Sequence, residues 1–403
     1  MTPHTLRQIW QMFPERFSNL PAYAFPRLRA LLDSHEPGGS VLHMSIGEPK
    51  HPFPPWITQI IIDHAAEFGR YPPNDGTLEL RTAISGWLNR RYGVSLDPET
   101  RIMGLNGTRE GLYNVGMALC PEKKRGQTPV VLMPNPFYQV YMISAISVGA
   151  EPVFVAATEQ TGHLPDYASL PADVLDRTAL CYICSPANPQ GAMADDTYWR
   201  ELITLAERHD FQIIADECYA EIYRDTPPTG ALQTAAAMGA DPERVVSLHS
   251  LSKRSNLPGL RSGFVAGGQQ TIGRLKQLRA YAGAPVPLPL QRVSEALWAE
   301  EQHVTENRAL YQKKYELADA LLGHVPGYLA PQAGMFLWLP VADGEAAVLK
   351  LWQETGVRAL PGAYLSRETA EGNPGQGFLR VALVAPQEQT EDGLIRIRNC
   401  LFV

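Results

Sequence analysis

Between residues 128 and 268 short apolar runs alternate with helical patterns, and this alternation constrains the fold more than any other feature of the chain. The runs are TPVVLMP (128–134), EPVFVAA (151–157), LCYICSP (180–186), FQIIADE (211–217), RVVSLHSLS (244–252) and SGFVAGG (262–268). Five of the six do not alternate apolar with polar residues, so both faces of those predicted strands want cover. Strands buried on both faces belong to parallel sheets with helices on either side. The intervening segments supply those helices. YQVYMISAISVGA ends at Gly149, and TYWRELITLAERHD places Trp199, Leu202, Leu205 and Ala206 on one face. The expected class is therefore α/β, with a mostly parallel central sheet.

The texture changes near residue 285. PVPLPLQ is a proline-rich break, a long helical stretch runs from Arg292 to Leu322, and GMFLWLPV and GFLRVALVA read as strands with a helix between them. This is an α+β layer. The first 45 residues, helical and punctuated by prolines, are expected to pack on it. The reading is a large domain over 46–288 and a small domain built from 1–45 and 289–403.

Several function classes are disfavoured. A net charge of -7 argues against a nucleic-acid surface. No stretch approaches the ~18 apolar residues of a membrane helix, and MTPHTLRQIWQMFPERF lacks the pattern of a secretory signal. The five cysteines form no even framework and no metal-ligand pattern. Cys181 and Cys184 make a C-x-x-C, but on a strand residues three apart face opposite ways, so they read as buried small hydrophobes. A reducing cytoplasm is expected.

The chemistry is expected where the strands end, because ligands of open α/β sheets bind outside the carboxyl ends of the strands. At the end of RVVSLH stands Ser250-Leu251-Ser252-Lys253-Arg254-Ser255-Asn256-Leu257-Pro258-Gly259-Leu260-Arg261-Ser262-Gly263. Hydroxyls and a guanidinium between glycines suit a phosphate. Ser185-Pro186-Ala187-Asn188-Pro189-Gln190-Gly191 comes after LCYIC, and Asp216-Glu217-Cys218-Tyr219 after FQIIA. One cleft would thus collect an amide, a carboxylate, a phenol, a lysine and an arginine. A lone lysine on a loop is ordinarily solvated; here the surrounding set argues otherwise.

N-P-x-G, D-x-x-Y and S-x-S-K-x7-R in this order resemble the fold-type I pyridoxal-phosphate enzymes, and among them the class I/II aminotransferases. The resemblance spans nearly the whole chain. It implies a Schiff base between pyridoxal 5'-phosphate and Lys253, which would also shuttle the substrate proton. Asp216 would pair with the pyridine nitrogen, and Asn188 and Tyr219 would bond the ring's phenolic oxygen. The phosphate would sit on the backbone of Gly107, Thr108 and Arg109, where Asn106-Gly107-Thr108-Arg109-Glu110 opens a helix, and on Ser250, Ser252 and Arg261. Tyr138, in Pro136-Phe137-Tyr138, would stack on the ring; Phe137 is the alternative, and core packing is the plain reading for either.

Arg380, mid-strand in GFLRVALV, matches the arginine that clamps a substrate carboxylate, with Gly47 in SIGEP and Asn188 beside it; a structural ion pair is the competing reading. Tyr71 in RYPPNDGTLELR resembles a tyrosine that reaches a neighbouring subunit's phosphate, which implies a homodimer with shared sites. SLSKRSNLPGLRSGFVAG, LPAYAFPRLRALL and PNPFYQVY resemble N-succinyldiaminopimelate aminotransferases of bacterial lysine biosynthesis, which use the L-glutamate/2-oxoglutarate pair. Arg27, Arg29 and Arg254 are candidates for the distal carboxylates of such a substrate, with solvated helix charges as the default. Another class I/II aminotransferase acting on aspartate, alanine or aromatic acids keeps every motif, and a carbon–sulfur β-lyase shares the lysine. A cofactor-sensing regulator would need a DNA-binding domain, for which residues 1–45 are too few.

Overall fold

A computed structural model of the chain describes residues 15–18, 20 and 22–402. The N-terminal residues tested for a secretory signal lie largely outside that range. Seven strands form one sheet in the order Ile102–Leu105, Gly263–Ala266, Val245–Ser250, Gln212–Asp216, Thr178–Cys184, Val130–Asn135, Glu151–Ala156. All neighbouring pairs are parallel except those of Gly263–Ala266, which runs antiparallel to both its neighbours. The sheet is therefore mostly parallel, as expected. Ile102–Leu105 was not expected as a strand; IMGL is too short to show a period, and its partner is set by tertiary packing.

The strands are apolar on both faces because helices cover both. Asp196–His209 shows how one is specified. Asp195 caps it by accepting a 2.8 Å bond from the Tyr198 amide, and Asp210 ends it in the left-handed region at φ 55°. Its buried face carries Trp199, Leu202, Ile203, Leu205 and Ala206. Burial of such side chains stabilises by about 1.5–3 kcal/mol each for the large ones. Cys181 and Cys184 fall on opposite faces of their strand, each buried in a different core.

The expected long helix of 292–322 is two helices, Leu288–Ala299 and Gln302–Leu322, broken at Glu300 and Glu301. The first buries Val293, Leu297 and Trp298 in the large sheet's core, with the Trp298 and Trp87 rings 4.8 Å apart. In the packing, the second core thus begins after that helix and not at 289.

The second core gathers both chain ends. Its three antiparallel strands are Leu360–Pro361, Phe378–Ala382 and Phe336–Pro340, in that order. Leu42–His43 pairs in parallel with Val357–Arg358. Ala24–Leu32 lays Ala24, Leu28 and Leu32 on this core, a stripe at helical spacing of four. From Leu42 the chain runs along the boundary between the two cores, and that path positions the site. No described helix is long and apolar enough to cross a membrane.

Candidate active site

A cavity of about 310 Å³ opens where the carboxyl ends of the central strands meet the second core. Four consecutive sheet neighbours deliver residues to it. Val245–Ser250 runs straight into the short helix Leu251–Arg254, which carries Lys253. Gln212–Asp216 ends on its own carboxylate. The turn after Thr178–Cys184 brings Asn188, and the turn after Val130–Asn135 brings Phe137 and Tyr138. From the second core come Phe336 and Arg380, on adjacent antiparallel strands.

Lys253 Nζ donates to the Gly47 carbonyl. Burial, with Arg380 and Arg261 nearby, lowers its pKa to about 8, against a smaller opposing pull from Cys218 and Glu48. Asp216 is buried, and burial raises its pKa although its oxygens accept from Tyr141 Oη at 2.7 Å and the Cys218 amide at 3.4 Å. No described cation forms an ion pair with it. A buried carboxylate facing a cavity without a cation is the complement of a cationic ligand nitrogen.

Arg380 is the mirror case. It is 4% exposed, and burial lowers its pKa to about 10. Nη2 donates to the Ser45 carbonyl at 2.7 Å, Nη1 to Asn188 Oδ1 at 3.0 Å, and the guanidinium lies 4.2 Å from the Phe336 ring centroid. Its Nε is buried without a partner. No described carboxylate pairs with it, so a structural ion pair does not account for its burial. Tyr219, also buried, stands against Phe336 at 6.0 Å between centroids.

An anion cradle forms the other end. Helix Thr108–Leu119 begins at Gly107, whose φ of 79° suits glycine. A Cβ there would meet Arg261 Nη2 at 2.0 Å, so only a glycine lets the guanidinium approach the free amides of the first turn. Ser250 Oγ accepts from the Ser252 amide at 3.1 Å and caps the lysine's own helix. Ser250, Ser252, Thr108, Arg109 and Arg261 all line the cavity.

Tyr138 and Phe137 divide the readings offered for them. Phe137 is buried against Phe154 with centroids 4.9 Å apart, a core contact. Tyr138 is half-buried and accepts from Arg109 Nε at 2.5 Å. The Arg109 side chain thus meets a phenol, leaving its backbone at the cradle.

The distal-group candidates require correction. Arg27 lies over the Tyr364 ring at 3.7 Å and pairs with Glu345 at 3.3 Å. Arg29 is exposed on the same helix. Arg254 is buried, donating to the Leu297 and Glu300 carbonyls and pairing with Glu301 at 2.9 Å. None of the three lines the cavity. Tyr71 is fully exposed and outside it as well.

Among the lining residues that escaped the sequence reading, two hold the charged groups of the site. Tyr141 holds Asp216, and its signal was present: it stands three residues after Tyr138 at the start of a helix, hence on the same face. Phe336, beneath the Arg380 guanidinium, becomes visible only once the two antiparallel strands are registered.

Comparison with known proteins places this geometry. The family described as "Aminotransferase class I and II" matches residues 40–397. An LL-diaminopimelate aminotransferase of Dehalococcoides mccartyi is 30% identical over 394 residues, covering 96% of this chain and 98% of that one. An aminotransferase structure from Neisseria meningitidis superposes with a TM-score of 0.91 at 38% identity, over 96% of this chain and 99% of that one. A probable N-succinyldiaminopimelate aminotransferase from Thermus thermophilus superposes with a TM-score of 0.82 at 27% identity, over 94% and 100%.

Proposed function

We propose that this chain, which belongs to the class I and II aminotransferases, moves an amino group between L-glutamate and N-succinyl-2-amino-6-oxopimelate. Enzymes of this class work with pyridoxal 5'-phosphate. The residues present fit that group: a cradle of helix amides with Arg261, Ser250 and Ser252 for the phosphate, and Asp216 for the ring nitrogen. Lys253 would hold the aldehyde carbon, Asn188 and Tyr219 the ring hydroxyl, and Tyr138 the ring face. When bound, the cofactor supplies an electron sink and a carrier for the amino group.

The observation that carries the amino-transfer reading is Arg380, a buried guanidinium with no carboxylate of its own beside the amine of Lys253. The segment that accepts from Lys253 at Gly47 also accepts from Arg380 at Ser45. A substrate carboxylate on the guanidinium would therefore place its α-carbon by the lysine. The Lys253 amine would be the base that takes up and gives back the proton of that carbon. A pKa near 8 leaves part of the amine neutral at physiological pH, which suits a base. Asp216 would hold the proton on the ring nitrogen, and Tyr141 orients Asp216.

For the substrate, the wall chemistry favours an acylated distal amine. Among the described residues Asp216 is the wall's only carboxylate, and it is committed to the ring. A free distal ammonium would find no acid there. A second reading, free LL-diaminopimelate, is favoured by the names of the curated relatives. The test is a comparison of kcat/KM for N-succinyl-LL-diaminopimelate and LL-diaminopimelate as donors to 2-oxoglutarate. A preference for the acylated compound is expected; equal or reversed preference selects the second reading. Tyr71 would complete the phosphate site of a second copy, making the enzyme a homodimer.

A further inference from the structure

Lys314 is a buried amine that the chemistry of the cavity does not use. It is fully buried on helix Gln302–Leu322. Its Nζ donates to the Leu383 carbonyl at 2.9 Å and to the Ala385 carbonyl, and it lies 2.6 Å from His51 Nε2. In its charged form the amine has three protons, and these three acceptors take them all, although burial lowers its pKa to about 7. His51 must then accept at Nε2 and carry its proton on Nδ1, which meets Asn307 Oδ1 at 2.9 Å. Burial and the neighbouring Lys314 lower the His51 pKa to about 4, so the ring stays neutral. Asn307 Oδ1 also accepts from Asn256 Nδ2 at 3.0 Å, and Asn307 Nδ2 donates to the Lys253 carbonyl at 3.4 Å. The bonds from the ammonium through His51 and Asn307 to the catalytic lysine's backbone all run in one direction.

One end of the network lies just beyond Arg380 in the chain and the other on the backbone of Lys253, the two residues that would flank the substrate. Leu383 and Ala385 continue the strand that carries Arg380, and Lys253 is the reacting amine. Between them runs segment 44–52. Its Met44 carbonyl accepts from the Ala382 amide at 2.7 Å, its Ser45 carbonyl from Arg380, its Gly47 carbonyl from Lys253, and its Pro52 carbonyl from Asn256 at 3.3 Å. His51 is the side chain by which this segment meets helix Gln302–Leu322, and Asn307 carries that contact on to Lys253.

We propose that Lys314, His51 and Asn307 form a positioning unit that pins segment 44–52 between the two cores and thereby sets the mutual orientation of Lys253 and Arg380. A buried cation without a carboxylate is an expensive way to stabilise a fold, since an apolar side chain of equal length would avoid its desolvation. What it achieves is direction: three fixed protons select one arrangement of His51, Asn307 and the strand after Arg380. The unit touches neither substrate nor cofactor; it acts through the carbonyls that Lys253 and Arg380 use.

Two substitution sets test this in the cofactor-loaded enzyme. Lys314→Met removes the protons and keeps the length. His51→Leu cuts the relay, whereas His51→Gln can accept from Lys314 and donate to Asn307. Expected for Lys314→Met and His51→Leu are a rise in KM for L-glutamate of about tenfold, with a smaller fall in kcat. The pH midpoint of the visible absorption of the lysine-bound cofactor is expected to shift by about one unit, and His51→Gln should restore both. The absorption midpoint needs no substrate, so it reads the proposal even if glutamate is not the donor. If Lys314→Met does not fold, the His51 pair alone decides. An unchanged midpoint and KM in His51→Leu, or a His51→Gln variant as impaired as His51→Leu, overturns the proposal.

Discussion

Tyr141 donates a 2.7 Å hydrogen bond to Asp216, and both groups are buried beneath the cavity. The carboxylate is thereby oriented by a phenol while its charge remains unspent on any described cation. Removing the phenol should cost orientation first. Tyr141→Phe is expected to lower kcat by roughly tenfold, the worth of about 1.4 kcal/mol for one hydrogen bond to a charged group, with KM for the donor little changed. Steady-state kinetics checks it. Asp216→Ala should fall much further, by about 10²-fold or more, because the charge itself is lost.

Arg380→Ala removes the only described guanidinium that two backbone-and-amide partners aim into the cavity beside Lys253. Truncating one partner of a buried charge pair costs about 3 kcal/mol, so KM for L-glutamate should rise by roughly 10²-fold. Cofactor content, read from the visible spectrum, should stay at the wild-type level.

The depressed pKa of Lys253 has a stability signature in the cofactor-free protein. Its folded value, about 8, lies below the ordinary 10.5. The unfolded chain therefore binds more protons between these two values, and stability from this group rises with pH across that window. Below pH 8 the penalty of the buried ammonium is present in full. Lys253→Met, freed of that penalty, should be more stable than wild type by urea denaturation at pH 7, and the difference should shrink as pH approaches 10.

Arg254, a candidate for the distal carboxylate on sequence grounds, is in the structure a staple between helices. Arg254→Ala should lower stability by about 2 kcal/mol through the stranded Leu297 and Glu300 carbonyls. The ratio of kcat/KM for succinylated and free donors should not move.

The strand ends were legible because apolar runs of fixed length must stop, and the residues just past each stop lie along one edge of the sheet. Lys253, Asp216, Asn188 and Tyr138 come together for that reason. Arg254 departs from its sequence expectation because consecutive helix residues point about 100° apart, so the neighbour of a cavity lysine on Leu251–Arg254 faces the core. The partners of Arg380 could not be read at all. Ser45 reaches it across a separation of 335 residues, and no local pattern records so distant a register. The Lys314 network was hidden likewise, since a lysine within the charged sequence of Gln302–Leu322 reads as solvated until its helix is docked.

The central claim is that Lys253 carries an amino-transfer site, and a visible absorption titration of the cofactor-loaded enzyme with L-glutamate tests it most directly. The account predicts that the band of the lysine-bound cofactor disappears on adding glutamate and returns on adding 2-oxoglutarate, and that Lys253→Ala shows neither change. A band that glutamate leaves unmoved, or a Lys253→Ala variant that still yields a lysine–cofactor adduct on borohydride reduction, contradicts it.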